Sequence, residues 1–311
     1  MNTIKSLPRS YAILGAVLLF GLVVGGLLRF GVFKAPPPAL TPTPVSEEFE
    51  GDRAYAHVVA QMDLGPRITG TDANVLAGDY IAQQLQQFGW QVEFQAFTYK
   101  DTPVRNVIAK TNVGKGPVII LGAHYDCRRR ADQDPDHPND PVPGADDGAS
   151  GVAVLLELAR TLDKWKIPNE IWLAFFDAED NGELDGWEWI VGSAYMAEHL
   201  EVTPQAMILL DMVGDQDQHF YYEGNSDPKL SEKVWNIAAN LGYGVHFTPM
   251  THWSMEDDHI PFVRRGIPSL DIIDFDYPYW HKTTDTIDKI SVESLERVGR
   301  TVEVFLEAGD Y

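Results

Sequence analysis

The sequence predicts an α/β domain with a mixed, largely parallel central sheet flanked by helices, preceded by one transmembrane helix. Short apolar and β-branched strand patterns alternate with amphipathic helix patterns along the chain, as in βαβ units. Two of the strand patterns, Ile171–Phe176 and Met207–Met212, are almost wholly apolar, which is typical of strands buried on both faces. The transmembrane helix is predicted from an uncharged apolar run near the N-terminus.

This N-terminal region divides into a tail (1–10), an apolar stretch (11–33) and a Pro-rich linker (34–45). About 20 apolar residues suffice to cross a bilayer core. Because no convincing cleavage site follows, we expect an uncleaved signal anchor rather than a cleaved signal peptide. The flanking basic residues give little orientation bias, and the short tail favours a single-pass protein whose folded domain lies outside the cytoplasm.

The folded domain is expected over residues 46–311, with helices and strands in alternation. Gly89 marks the end of the first helix pattern. Besides the two apolar strands, the patterns predict strands at Asn106–Thr111 and Val118–Leu121, and helices at Ala73–Phe88, Gly151–Leu162, Leu230–Leu241 and Val292–Leu306. In sheets of this kind, ligands bind beyond the carboxyl ends of the strands.

Composition excludes several classes of partner and site. The 311 residues carry 46 acidic and 24 basic side chains, a net charge of −22, so nucleic acid is not expected as a partner. Cys127 is the only cysteine, which excludes an intrachain disulfide, thiolate zinc sites and iron–sulfur clusters. Any metal site must therefore use histidine and carboxylates.

Groups of that type follow the predicted strands. Taken singly, each has a simpler explanation: His124 and Asp126 could form a hydrogen bond without metal, and Asp146 and Asp147 could cap the next helix. Together they predict a His/carboxylate site for one or two zinc ions. The groups at the strand ends are His124, Asp126, Asp146, Asp147, Glu179, Asp180, Asp211 and His281.

The order of these residues resembles the M28 zinc metallopeptidase superfamily, which contains both aminopeptidases and glutaminyl-peptide cyclotransferases. The resemblance covers roughly residues 66–305 and implies the mixed α/β fold of that superfamily. It implies that a first zinc is held by Asp147, Asp180 and His281, and that a second would add His124 and Asp211. It also implies Glu179 as the general base and Asp126 and Asp146 as supporting residues. One position departs from the family pattern, because Asp180 stands where the family usually has the longer glutamate.

Three further positions bear on the branch of the superfamily. Asp257 resembles a cyclase residue that joins a hydrogen-bond chain with the general base, whereas aminopeptidases usually have serine there. Trp280 and Trp187 resemble indoles that wall the cyclase substrate pocket. Core packing of the two tryptophans and helix capping by Asp257 are the simpler alternatives. In contrast, the segments 148–151 and 283–286 look more like those of the aminopeptidases.

The resemblance therefore implies a zinc enzyme that acts on peptides or proteins with a free N-terminus. It favours a cyclase, which converts N-terminal glutamine to pyroglutamate with loss of ammonia. A two-zinc aminopeptidase is the alternative. A membrane-tethered domain without catalysis is a remote third, which the intact Glu179 and ligand set disfavour. The acidic site suits a substrate ammonium group.

Overall fold

The computed structural model describes residues 48–309. The strands are β1 (Gln91–Tyr99), β2 (Thr102–Thr111), β3 (Val118–His124), β4 (Glu170–Phe176), β5 (Ala206–Asp211), β6 (Phe220–Tyr222), β7 (Phe247–Thr251) and β8 (Ser269–Ile273). The α-helices are α1 (Gly51–Met62), α2 (Asp72–Gln87), α3 (Ala149–Thr161), α4 (Val191–Glu198), α5 (Pro228–Asn240), α6 (Ile260–Arg264) and α7 (Val292–Ala308).

The predicted transmembrane segment at 11–33, with its tail and linker, lies outside the described residues. Between residues 48 and 309, no helix combines the length and apolar character needed to span a bilayer.

The main sheet has six strands in the order β1-β2-β4-β3-β5-β8. The pairs β1/β2 and β2/β4 are antiparallel, and the remaining three pairs are parallel. Every residue of β3, β4, β5 and β8 is buried, as the apolar runs predicted. The mixed, largely parallel sheet is therefore confirmed, and β6 and β7 form a separate parallel pair.

Side-chain alternation along these strands builds a core on each face of the sheet. On one face, Leu121 and Leu173 join the main hydrophobic cluster with residues of α1, α2, α3 and α7. On the other, Ile120 and Ala174 pack with residues of α4 and α6. The sheet is thus flanked by helices on both sides.

The parallel strands bring the predicted chemistry to one edge. β3 ends at His124, β5 ends at Asp211, and β4 is followed directly by Asp177–Asp180. Because β3 lies between β4 and β5, the three strand ends are neighbours. α3 begins beside them, and the loop before α3 carries Asp147.

Candidate metal centre

Five predicted ligands converge in two groups that share Asp147. In the first group, His281 Nε2 lies 3.0 Å from Asp180 Oδ1 and 3.8 Å from Asp147 Oδ2. In the second, His124 Nε2 lies 3.1 Å from Asp147 Oδ1 and 3.2 Å from Asp211 Oδ1. All five residues are buried, and the ligand-type atoms of each group lie within 4.8 Å of one another.

The backbone around Asp147 is shaped to hold it at the strand ends. Gly148 has φ +96°, and a Cβ there would lie 2.7 Å from the Asp126 carbonyl oxygen, so only glycine fits. Gly148 is itself the N-cap residue of α3, and no side chain caps this helix. The alternative reading of Asp146 and Asp147 as helix caps is therefore wrong.

Asp126 links the end of β3, which carries His124, to the loop after β4, which carries Glu179 and Asp180. Its carboxylate lies 3.6 Å from His124 Nδ1 and accepts the backbone N–H groups of Glu179 at 3.0 Å and Asp180 at 3.3 Å. Thr69 Oγ1 donates to the same carboxylate at 3.1 Å. Asp126 thus orients His124 and fixes the loop that carries Glu179 and Asp180.

Asp285, which the sequence analysis missed, supports the loop of Asp147. Its carboxylate accepts the N–H groups of Asp146 at 2.9 Å and Asp147 at 3.2 Å, and the Tyr277 hydroxyl at 2.7 Å. Asp146 in turn accepts the Gly214 N–H at 2.7 Å. The only available signal for Asp285 was its position four residues after His281.

His281 is fixed from both sides of its ring. Trp280 stacks on it at 3.7 Å between centroids, and Trp189 lies at 5.8 Å in nearly parallel orientation. Its Nδ1 faces Asp132 Oδ1 at 3.5 Å, and the Asp132 carboxylate is paired with Arg128 at 2.6 and 2.9 Å. Asp132 is a second supporting residue that the sequence analysis missed, because it lies in an irregular loop without a strand or motif beside it.

A pocket opens onto these groups. Its volume is about 200 Å³, and its lining includes Glu179, Asp257 and the five ligands except His124. The apolar part of the lining consists of Trp189, Met212, Met255, Ile273, Phe275 and Trp280. Burial, followed by the charges of the neighbouring carboxylates, raises the pKa of Glu179 well above its usual value although His124 opposes the shift.

The two predicted tryptophans differ in position. Trp280 lines the pocket, whereas Trp187 lies outside this lining, packed edge-on against Tyr99 with Arg129 over its ring. Trp189, two residues later, occupies the pocket wall and contacts the His281 ring.

Asp257 begins a buried polar chain that leads away from the pocket. Ligand-type atoms of Asp257, Asp271 and His259 lie within 4.8 Å of one another. His259 Nε2 is 3.1 Å from Glu223 Oε2, and its Nδ1 is 3.7 Å from Asp271 Oδ2. The side chain of Asp257 does not cap α6, whose N-cap residue is His259.

Comparison with known proteins decides the family. A family model described as Peptidase family M28 matches residues 106–306. The chain belongs to peptidase family M28. The relationship predicted from the order of the ligands is therefore confirmed.

Individual M28 proteins show the same relationship. The glutaminyl-peptide cyclotransferase-like protein of Bos taurus is 28% identical, over 77% of this chain and 71% of its own. The crystal structure of Porphyromonas gingivalis glutaminyl cyclase has a TM-score of 0.80 and 37% identity, covering 85% of this chain and 99% of its own. A Zn-dependent exopeptidase from Parabacteroides distasonis has a TM-score of 0.77 and 36% identity, covering 83% and 98%.

The M28 site of this chain fits the zinc that the family implies. Both carboxylate oxygens of Asp180 and Oδ2 of Asp147 are buried and accept no hydrogen bond within residues 48–309. Burial of ionised carboxylates without donors is costly, and a divalent cation removes that cost. Imidazole nitrogen and carboxylate oxygen are the donors that zinc accepts in sites without thiolate.

The metal-free M28 domain should lose stability as the pH rises from about 5 to 9. Burial and the nearby Asp147 charge raise the pKa of Asp180 to about 6 and that of Asp285 to about 7, from 3.8. Burial lowers the pKa of His281, but the nearby carboxylates of Asp180 and Asp132 outweigh it and raise that pKa to about 9, from 6.5. The folded state therefore binds more protons than the unfolded state across this window, and the free energy of unfolding falls with pH.

Urea denaturation at several pH values, with chelator and with zinc, checks this expectation. The midpoint should fall with pH in the chelator and change much less with zinc, whose charge replaces the bound protons. A midpoint that rises with pH in the chelator would contradict it.

Asp132→Asn should weaken zinc binding about ten- to hundredfold, because residues that orient metal-ligating histidines typically contribute this much. The Arg128 hydrogen bonds outweigh burial and keep the pKa of Asp132 low, so the wild-type carboxylate is ionised opposite His281 Nδ1. Competition with a chromogenic chelator measures the affinity. Asp136→Asn, an exposed acid of the same loop, is the control, and equal zinc affinity in both variants would refute the role of Asp132.

Proposed function

We propose that this protein is a zinc-dependent glutaminyl-peptide cyclotransferase, which converts an N-terminal glutamine into pyroglutamate and releases ammonia. Relatives named glutaminyl-peptide cyclotransferase, in Drosophila melanogaster, and glutaminyl-peptide cyclotransferase-like protein, in Bos taurus, support the proposal. The observation that carries it is the presence of both Asp257 and Glu179 in the lining of one pocket, because an aminopeptidase usually has serine at the position of Asp257.

Zinc held by Asp147, Asp180 and His281 would polarise the γ-carbonyl of the substrate glutamine. The substrate's α-nitrogen then forms a bond to that carbonyl carbon, and the bond to the γ-nitrogen breaks. Glu179 takes a proton from the attacking amine and gives it to the leaving nitrogen, so that ammonia departs without net proton change.

Asp257 supports this proton transfer from inside the same pocket. Burial and the Asp211 charge raise its pKa to about 7. A carboxyl group that is partly protonated at neutral pH can share a proton with a neighbouring carboxylate. The aromatic wall formed by Trp189, Phe275 and Trp280 would cover the folded glutamine side chain and keep out the water that hydrolysis requires.

A paired assay tests the function. Zinc-loaded domain is incubated with a peptide that begins with glutamine and one that begins with leucine, and products are identified by mass spectrometry with a coupled ammonia assay. We expect pyroglutamate and ammonia from the first peptide without cleavage. Release of free amino acids from either peptide, without cyclisation, would overturn the proposal.

A two-zinc aminopeptidase remains the second candidate because of one observation. The group of His124, Asp147 and Asp211 offers three buried ligands for a second ion that shares Asp147 with the first. Metal analysis after dialysis separates the two, since about one zinc per chain supports the cyclase and two support the peptidase. No zinc at all would support a domain without catalysis.

We also propose that residues 11–33 anchor the enzyme in a membrane as a single-pass protein, with the catalytic domain on the side away from the cytoplasm. The support is the length and apolar character of that stretch in the sequence. Fractionation of cells that express the full chain, or a chain without residues 1–45, tests the anchor. Protease treatment of intact cells then tests the orientation.

A further inference from the structure

Six aromatic rings form a continuous series that begins at the wall of the pocket. Each ring contacts the next, with centroids 5.0, 5.6, 4.6, 4.7 and 4.8 Å apart in turn. In order from the pocket, the rings are Trp280, Phe275, Trp253, His252, Tyr221 and His219. We call this series the aromatic band.

The aromatic band lies at the protein surface rather than in the core. Trp280 and Phe275 line the pocket and are half-buried, and Trp253 retains 38% of its accessible surface. His252 is exposed, and the last two rings are half-buried. Contiguous exposed aromatic rings are unfavourable in water and commonly mark binding surfaces.

The three rings of the aromatic band nearest the pocket are held in place by a hydrogen bond and by packing. The Trp253 indole Nε1 donates to Asp276 Oδ1 at 3.2 Å. Phe275 and Trp280 pack against a buried cluster of Met212, Ile273 and Tyr277. A surface ordered before binding loses little conformational entropy when a ligand packs on it.

We propose that the aromatic band binds the substrate residues that follow the N-terminal one, and that Trp253 gives the enzyme a preference for a large apolar or aromatic side chain there. The inference rests on the proposed function, which places the N-terminal residue of the substrate beside Trp280. Two ring contacts, of 5.0 and 5.6 Å, separate Trp280 from Trp253. An extended chain advances roughly 3.3 Å per residue, so substrate residues two to four reach Trp253.

The charges beside the aromatic band agree with this preference. Asp276 is an exposed acid that accepts the Trp253 indole N–H, whereas Glu256 at the pocket rim is paired with Arg264 at 2.6 Å. An acidic substrate side chain would be repelled there, whereas an apolar ring gains both burial and edge-to-face contact. The substrate class is therefore peptides with an aromatic residue shortly after the N-terminus.

The test compares four tetrapeptide amides that begin with glutamine. One has glycine at positions 2 to 4, and each of the others has phenylalanine at one of these positions. We expect kcat/KM to be roughly two- to tenfold higher for at least one phenylalanine peptide than for the glycine peptide. In Trp253→Ala this ratio should fall to about one, and Trp253→Phe should keep most of it. Trp165→Ala is the matched control, since Trp165 is 93% exposed elsewhere in the chain.

Equal kcat/KM for all four peptides, or a ratio that persists in Trp253→Ala, would overturn the inference. Absence of ammonia from every peptide would instead overturn the proposed reaction. In that case the phenylalanine-to-glycine ratio is taken from Kd, measured by calorimetry on the zinc-loaded protein, which requires no turnover. A Kd ratio that falls to about one in Trp253→Ala then supports the role of Trp253. Equal Kd values for all four peptides, or a ratio that persists in Trp253→Ala, overturn it.

Discussion

Glu179→Gln should lower kcat by about two to four orders of magnitude, the usual contribution of a positioned general acid–base group, while zinc content stays at the wild-type level. The amide has nearly the same shape as the carboxylate but can neither accept the amine proton nor deliver it to ammonia. Glu179 belongs to neither ligand group, so the metal should remain bound.

Steady-state kinetics and metal analysis of the same preparation measure both effects. Glu183→Gln is the matched control, because Glu183 is an exposed acid in the same loop and should keep full activity. Retained turnover in Glu179→Gln would refute its assignment as the proton-transfer residue. Loss of zinc in that variant would show instead that Glu179 is a ligand.

Asp147→Asn should remove essentially all bound zinc and with it all measurable turnover. Asp147 is the one residue common to both ligand groups, with Oδ2 facing His281 and Oδ1 facing His124. An amide is a much poorer ligand than a carboxylate for a divalent ion, and a site that needs deprotonated ligands loses affinity with each one removed. The fold should persist with zinc absent, because the hydrophobic cores lie on the faces of the sheet.

Asp211→Asn provides the informative comparison with Asp147→Asn, since Asp211 belongs only to the second group. In a one-zinc enzyme it should keep its metal, whereas a two-zinc enzyme should lose one of two ions. Asp140→Asn, an exposed acid in the loop before α3, is the control for a general effect of charge. Full zinc content in Asp147→Asn would contradict the shared-ligand assignment.

The inner strands β3, β4 and β5 could be predicted from the sequence because they are buried on both faces of the sheet. β4 and β5 are nearly continuous apolar runs; β4 begins one residue earlier than predicted, and β5 is shifted by one residue at both ends. β1 was missed although Val92, Phe94 and Ala96 alternate with polar residues; it is an edge strand whose residues are all partly or fully exposed, so it lacks the continuous apolar run of the inner strands. α4 and α6 are short and lack the repeated apolar spacing that a longer helix displays.

The ligands could be predicted because residue type and position at strand ends restrict them chemically. The resemblance also indicated Asp126 and Asp146 as supporting residues, but Asp285 and Asp132 could not be predicted, because their roles depend on contacts between segments far apart in the chain. Asp285 acts through hydrogen bonds to Asp146 and Asp147, and Asp132 acts through His281 Nδ1. Neither set of contacts leaves a pattern in the local sequence. The same is true of the pocket wall, which contains Trp189 and not the predicted Trp187.

The wide separation of the ligand segments has a consequence for the architecture as a whole. His124, Asp147, Asp180, Asp211 and His281 come from five separate stretches of the chain. Metal bound by such residues would close long loops of the chain. A disulfide does the same, and loop closure lowers the conformational entropy of the unfolded ensemble. Cys127 is the only thiol and is buried, so this chain has no such bond within itself. A zinc ion held by Asp147, Asp180 and His281 would therefore also cross-link three distant stretches of the chain, and its removal would release all three at once.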